Sequence, residues 1–370
     1  MSPVDNAPVG VGIIGAGVIS TQYLTNLQRF PDVEVRFIAD IDLERAAEQA
    51  AAHGVPESGR VEELLARTDV DVVVNLTIPS AHAEITQLIL EAGKHVWVEK
   101  PIATTTEAAK LLLSTATAAG LRVACAPDTV LGAGLQTAFR AIARGDIGEP
   151  LTAITTFHVP GPDRWHPNPD FLFADGAGPL LDMGPYYLTA LIHVFGSATR
   201  VHATSSQSQS SRIIGTGPRA GDSFPVLVPT HHSALIEFTG GRSAQSTFSF
   251  QHARRKAGHI EVNGTNGTLT LPDPNLFDGE SLLWSYGRDE PLVIPAQGAS
   301  GGRGTGVVDL VRSIRAGVAE RASGALAAHV LEIMTGISDA AHSGSAVEIT
   351  SSAAAVPLLP LDFDPTQAVS

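Results

Sequence analysis

Gly15-Ala16-Gly17-Val18-Ile19-Ser20 follows a short apolar run over 9–14 and opens an apolar-spaced stretch that reaches about residue 30. Glycines at this spacing, between a strand and a helix, suit a pyrophosphate. Gly15 permits the tight turn, and Gly17 lets the backbone and the first helical N–H groups, those of Val18 and Ile19, approach an anion. Ser20 stands where a third Gly or Ala is usual, and helix–strand packing tolerates so small a side chain. Asp40 ends the next apolar run, 23 positions after Gly17, close to where an acid would accept from a ribose 2′-OH. Its carboxylate repels a 2′-phosphate, and Ile41 and Asp42 bring no cation. The expected cofactor is therefore NAD in preference to NADP, with Arg45 the nearby cation that could rotate in. A glycine turn alone would also fit an ordinary loop; the acid at this distance points to the dinucleotide.

Glu99-Lys100-Pro101 closes another apolar run. Pro101 forces Lys100 into extended backbone and stops the strand. A lysine at the carboxyl end of a parallel strand stands in the crevice where cofactors lie, and beside a nicotinamide and a hydroxyl it could exchange protons. The plainer alternative is a surface lysine in a strand–helix loop. Lysine occurs only at 94, 100, 110 and 256 in this chain.

In the segment Gly176-Ala177-Gly178-Pro179-Leu180-Leu181-Asp182-Met183-Gly184-Pro185-Tyr186-Tyr187, Pro179 suits a first helical turn. Asp182 and Tyr186 then share one face, four apart, with Gly184 expected to let a ligand approach and Pro185 expected to kink the helix. Tyr186 could donate to a substrate, shape its pocket, or pack in the core. Upstream, Asp163-Arg164-Trp165-His166-Pro167 is a turn-rich polar loop. Trp165 and His166 either line a substrate site or belong to a proline-stiffened surface loop anchored by the tryptophan. His231-His232 falls in a strand, so the two rings point to opposite faces, and no metal-binding spacing occurs elsewhere; no metal is expected.

The elements that position these residues alternate in type. Apolar runs at 9–14, 33–39, 71–76, 95–98 and 121–124 alternate with helical patterns, as βαβ units do, which predicts a parallel doubly wound sheet. After one more helix at 135–143, strand patterns dominate: 151–159, 200–206, 232–238, 243–250, 259–262 and 268–271, with hairpins at 238–242 and 263–268. Residues 205–221 read as a Ser/Gln/Gly-rich loop or excursion, and helices near 309–319 and 325–342 finish the second domain. The expected fold is α/β: an N-terminal Rossmann doubly wound sheet over 1–128, and over 129–370 an α/β substrate domain with a large, mostly antiparallel open sheet.

Composition limits the partners. Of 370 residues, 44% are hydrophobic and 17% charged, ample for folded cores. The net charge of −14 disfavours nucleic acid and anionic membrane as partners. The N-terminal sequence has no basic leader segment and no twin arginine, and no apolar run is long enough to span a membrane, so a cytoplasmic location is expected. Cys125 is the single cysteine, which leaves no intrachain disulfide.

The fingerprint, the loop Thr77-Ile78-Pro79-Ser80-Ala81-His82, Glu99-Lys100-Pro101 and Asp182-Met183-Gly184 together resemble the glucose–fructose oxidoreductase / inositol dehydrogenase (Gfo/Idh/MocA) family, over about 9–349. The resemblance implies that Lys100 contacts the reacting hydroxyl and the nicotinamide ribose. It also implies that Glu99 and the Thr77, Pro79 and His82 loop help hold the cofactor, and that the second sheet serves a homo-oligomer. The family pattern there is Asp-x-Gly-x-His, with the aspartate on substrate and the histidine as acid/base; this chain has Tyr186 in the histidine's place. The expected activity is hydride transfer between NAD and a hydroxyl or keto carbon of a sugar, sugar derivative or cyclitol. Lys100, Asp182 and Tyr186 would be catalytic, and Trp165 and His166 would join them on substrate. A redox-recycling glycoside hydrolase or lyase using NAD, and a cofactor-sensing regulator, are the rival classes.

Overall fold

The computed structural model describes residues 7–254 and 258–368. The expectation about an export signal rests mostly on residues 1–6 and, like Lys256, lies outside the described residues. The chain divides into two compact units. One comprises Met1–Ala133, Gly298–Ala328 and Leu359–Ser370; the other comprises Gly134–Gln297 and His329–Leu358.

The first unit holds six parallel strands: β1 (Val9–Ile14), β2 (Val33–Ala39), β3 (Glu57–Gly59), β4 (Val72–Asn75), β5 (His95–Val98) and β6 (Val123–Cys125). They run in the order β3-β2-β1-β4-β5-β6. Helices α1 (Val18–Leu27), α2 (Leu43–Ala52), α3 (Val61–Leu65), α4 (His82–Glu91) and α5 (Thr106–Ala119) connect them. Strands buried on both faces need continuous apolar runs, and Val72–Val74 and Val96–Val98 supply them. The strand order reverses between β1 and β4, which opens a crevice at the strands' carboxyl ends. Strand β3 and helix α3, at three and five residues, are too short to show a period and are absent from the sequence reading.

The helix expected near 309–319 forms as Thr305–Ala316, and it packs in the first unit's core rather than with the second sheet. Val307, Val308, Leu310 and Val311 share one apolar cluster with Tyr23, Leu24 and Trp97. Gly306 makes this possible, because a side chain there would run into the Trp97 indole.

The second unit contains α6 (Ala133–Ala143, apart from its first residue) and α7 (Gly178–Phe195). Its strands are β7 (Pro150–His158), β8 (Ala198–Ser206), β9 (Ser211–Ile213), β10 (Ser223–Pro225), β11 (His231–Phe238) and β12 (Arg242–Ser249). They continue with β13 (His259–Gly264), β14 (Gly267–Leu271), β15 (Ser281–Ser285), β16 (Leu292–Ile294) and β17 (Val347–Glu348). Nine of them form one sheet in the order β16-β15-β14-β13-β7-β12-β11-β8-β17. Within it, among the described residues, only β7 and β12 pair in parallel; the hairpins expected at 238–242 and 263–268 are present. The stretch read as a loop or an excursion over 205–221 contains β9, which pairs with β10 in a separate two-stranded sheet. Strands of three residues carry too little alternation to detect, and this pair is held by the cluster of Phe173, Ile214, Phe224, Val226 and Phe250.

Candidate active site

The glycine turn has the geometry of an anion cradle. Gly15 has φ +104°, and a side chain there would meet the Leu76 carbonyl oxygen at 2.7 Å. Gly17 differs: a side chain there would meet nothing, and it is the N-cap of α1 with no side-chain cap. Open space in front of an uncapped helix start leaves room and donors for a pyrophosphate. The Ser20 hydroxyl turns inward and donates to Gly17 O at 2.6 Å.

Asp40 closes this turn from β2. Its Oδ2 accepts the Ala16 N–H at 2.6 Å, and its Oδ1 accepts from the Asp42 N–H at 2.9 Å and the Arg45 guanidinium at 2.7 Å. Burial raises the carboxyl pKa, but the Arg45 bond and the two N–H groups outweigh it and hold Asp40 below its ordinary value. Val18, Ile41 and Ile78 are 91%, 95% and 65% exposed. They follow β1, β2 and β4, so three apolar side chains stand unburied along the same carboxyl edge, where they suit the flat faces of nucleotide rings.

The loop after β4 is stapled by a residue absent from the sequence reading. Asn75, fully buried, accepts from the Thr77 hydroxyl at 2.7 Å and donates to His82 O and Thr86 Oγ1 at 3.1 Å each. Pro79 starts a one-turn helix, Pro79–Ala81, that leads into α4. His82 is buried at 1% exposure, with Nδ1 2.7 Å from Pro101 O and Nε2 2.9 Å from Thr77 O. Burial pushes its pKa down, and the two carbonyls oppose that shift. His82 therefore ties the Thr77 loop to the Glu99-Lys100-Pro101 element and presents no ring nitrogen outward.

Glu99 is nearly buried at the end of β5. Its Oε1 accepts the Tyr23 hydroxyl at 2.8 Å, and Tyr23 in turn accepts the Trp97 indole N–H at 3.0 Å. The other oxygen, Oε2, accepts the Lys100 backbone N–H at 3.1 Å. The backbone of Lys100 is thus fixed through a chain of buried side chains that begins on α1. Tyr23 was missed because a helical aromatic at apolar spacing reads as core. The Cys125 thiol is buried behind this element, and burial pushes its pKa up.

Asp182 and Tyr186 lie in the second unit, one turn apart on α7. Asp182 is half-buried and Tyr186 buried. One expectation about this helix is corrected. Gly184 does not open a face to a ligand: a side chain there would meet Met334 Sδ at 2.9 Å, so the glycine serves packing against the helix Gly324–Ser343. Pro185 lies inside α7, which runs from Gly178 to Phe195. The neighbouring Tyr187 is the fully buried aromatic of the pair, packed on Phe157 and Phe248. Trp165 is 63% exposed and His166 packs edge-on between Trp165 and Phe171. Lys100 belongs to the first unit and these four side chains to the second. Among the described residues, no three His, Cys, Asp or Glu side chains gather as metal ligands.

Comparison with known proteins places this geometry in a family. Residues 9–126 match the family model described as an oxidoreductase family with an NAD-binding Rossmann fold, and residues 135–270 match the GFO/IDH/MocA C-terminal domain. Trans-1,2-dihydrobenzene-1,2-diol dehydrogenase of Bos taurus is 28% identical over 290 residues, covering 78% of this chain and 81% of that protein. The 1,5-anhydro-D-fructose reductase of Ensifer adhaerens is 30% identical over 267 residues, covering 70% and 74%. A levoglucosan dehydrogenase solved in complex with NADH and L-sorbose shares the fold at a TM-score of 0.81, with 22% identity over 93% of this chain and all of that one. With both of its domains matched in order by the family's models, the chain belongs to the Gfo/Idh/MocA oxidoreductase family.

Proposed function

We propose that this oxidoreductase transfers a hydride between NAD and a hydroxyl or keto carbon of a sugar, sugar derivative or cyclitol. The observation that carries the reading is the Glu99–Lys100 element, whose backbone is held at the same carboxyl edge of the sheet as the Asp40 and Gly17 cradle. The relatives that are dehydrogenases and reductases of diols and anhydro-sugars support it. The nicotinamide, when bound, supplies the hydride chemistry. The cradle fits it: Gly17 and the N–H groups of Val18 and Ile19 take the pyrophosphate, and Asp40 takes the adenosine ribose. Thr77, Pro79 and Glu99 hold the nicotinamide half, with His82 bracing their loops from behind.

Lys100 polarises the reacting hydroxyl and takes up its proton. Asp182 accepts from a neighbouring hydroxyl and so orients the ring, while Tyr186 occupies the position of the family's histidine and assists the proton transfer. Trp165 and His166 add an exposed aromatic edge of the kind that packs on sugar rings. A homo-oligomer formed through the second sheet is part of the same proposal. One face of that sheet leaves Ile154, Leu235 and Trp284 about two-fifths exposed. A cytoplasmic location is proposed with it.

The test is a screen of the purified protein with NAD against sugars, inositols and glycosides, following nicotinamide absorbance. Reduction of NAD by at least one neutral or acidic carbohydrate is expected. Release of a cleaved product without net NADH would move the assignment to the hydrolase or lyase class.

A further inference from the structure

A cavity of about 550 Å³ lies wholly within the second unit, lined among others by Arg164, Arg212, His252, Ser208, Gln209 and Gln251. Among the described residues no carboxylate lines it, in a chain whose net charge is −14. Its volume falls in the usual range for small-molecule sites.

The wall is built around Arg212, whose side chain is only 7% exposed. The guanidinium donates at 2.8 Å to Pro160 O, to Asp163 Oδ1 and to Phe250 O, and it stacks on the Phe173 ring at 5.2 Å. Its Nε is buried with no partner among the described residues. Gly161 is shaped to this arrangement: it has φ +116°, and a side chain there would collide with both the Arg212 guanidinium and the Asp163 carboxylate. Arg164 approaches the same carboxylate, Nε to Oδ2 at 3.5 Å, while 72% of its side chain remains exposed. Two guanidiniums thus share one carboxylate, and the cavity keeps about one positive charge in excess.

The cavity adjoins the elements that carry the proposed substrate residues of this unit. Pro160 and Arg164 precede Trp165 and His166 in the same loop. Phe250, in the cavity wall, packs edge-on against Phe157, whose ring lies 6.2 Å from Tyr187 on α7. Ser208, Gln209 and Gln251 offer amides and a hydroxyl to a polyol.

We propose that this cavity binds the anionic group of an acidic sugar, a carboxylate or a phosphate, with Arg164 as the exposed charge partner and Arg212 as the buried one. The proposal rests on the sugar oxidoreductase reading and narrows its substrate class. A guanidinium pairs with planar oxyanions through charge-assisted hydrogen bonds, and an uncompensated charge in a partly enclosed cavity attracts its opposite.

The test titrates the full chain calorimetrically, without NAD, with D-glucuronate, D-galacturonate, D-glucose 6-phosphate and D-galactose 6-phosphate, each beside its neutral hexose. At least one acid should bind about tenfold or more tightly than its neutral parent, and added salt should weaken it. Uronates alone binding would assign a carboxylate; sugar phosphates binding would assign a phosphate. Arg164→Gln changes an exposed side chain, so the thermal midpoint should hold while the preference for the acid falls about tenfold. Neutral hexoses binding as well as the acids, no acid binding, or an Arg164→Gln variant with unchanged preference would each overturn the proposal. Because binding is read without NAD, failure of every sugar to reduce NAD would strike the oxidoreductase reading and leave this result standing on its own.

Discussion

Asp40 accepts the backbone N–H of Ala16 across 24 positions of sequence, at 2.6 Å. The acid expected to read the ribose is therefore also a strut of the glycine turn proposed to receive the pyrophosphate. One carboxylate oxygen holds the turn, and the other gathers Asp42 and Arg45.

That double duty shapes the first prediction. NAD should bind at least about tenfold more tightly than NADP, about 1.4 kcal/mol, because a 2′-phosphate would face the Asp40 carboxylate. Asp40→Ala should narrow the gap mainly by weakening NAD, since it removes the ribose acceptor and loosens the turn together. Asp40→Asn keeps an acceptor for the Ala16 N–H, so it should lose less NAD affinity while freeing Arg45 for a phosphate. Calorimetric titration showing NADP bound as tightly as NAD by the wild type would refute the role of Asp40.

Lys100 supplies the second prediction. Lys100→Met should lower kcat by roughly 10² or more, the usual cost of losing an acid/base group. Folding should survive, because Glu99 holds residue 100 through its backbone N–H rather than its side chain, and NAD affinity should change little. Near-normal turnover of the variant on the substrate found by screening would remove Lys100 from the chemistry.

The outcome for these residues shows which signals a sequence carries. The turn at Gly15 and Gly17 and the strand-end place of Asp40 were legible because turn chemistry and strand ends are local, and five of the six strands of the first sheet followed from apolar runs, while β3, Glu57–Gly59, did not. Asn75, Tyr23 and the inward turn of His82 were not. Each depends on hydrogen bonds to residues brought close only by strand order, such as Tyr23 to Glu99, 76 positions away. Gly184 looked like an opening because local pattern cannot reveal Met334, which fills the space in front of it. The helix Thr305–Ala316 was readable as a helix, but its place in the first core depends on Gly306 meeting Trp97.

For Tyr186, removing the hydroxyl separates chemistry from packing. Tyr186→Phe should lower kcat by about 10²-fold with little change in thermal midpoint if the phenol assists proton transfer. Burial at 6% exposure makes Tyr186→Ala a poor probe of chemistry, because truncating a buried aromatic costs about 3 kcal/mol of stability by itself. A Tyr186→Phe enzyme with near-normal kcat would leave the proton step to Lys100, alone or through water.

The last prediction concerns acid stability of the second unit. Burial pushes His193 down to about 4, against the bond from its Nδ1 to Thr189 O, and burial with the neighbouring His231 pushes His232 down to about 4. An unfolded histidine titrates near about 6.5. Between those values the unfolded chain holds a proton that the folded chain lacks, so stability rises with pH there. The contribution is complete above about pH 6.5 and is lost as pH falls toward 4, at up to about 1.4 kcal/mol per pH unit for each histidine. His193 stacks on Phe139 at 4.8 Å, and an apolar replacement such as His193→Leu keeps the site filled while removing the titration. Urea unfolding across this range should show a slope smaller by up to one proton in the variant than in the wild type. Other groups titrate equally in both proteins and cancel in that difference, so identical slopes would mean that His193 is already protonated in the folded chain.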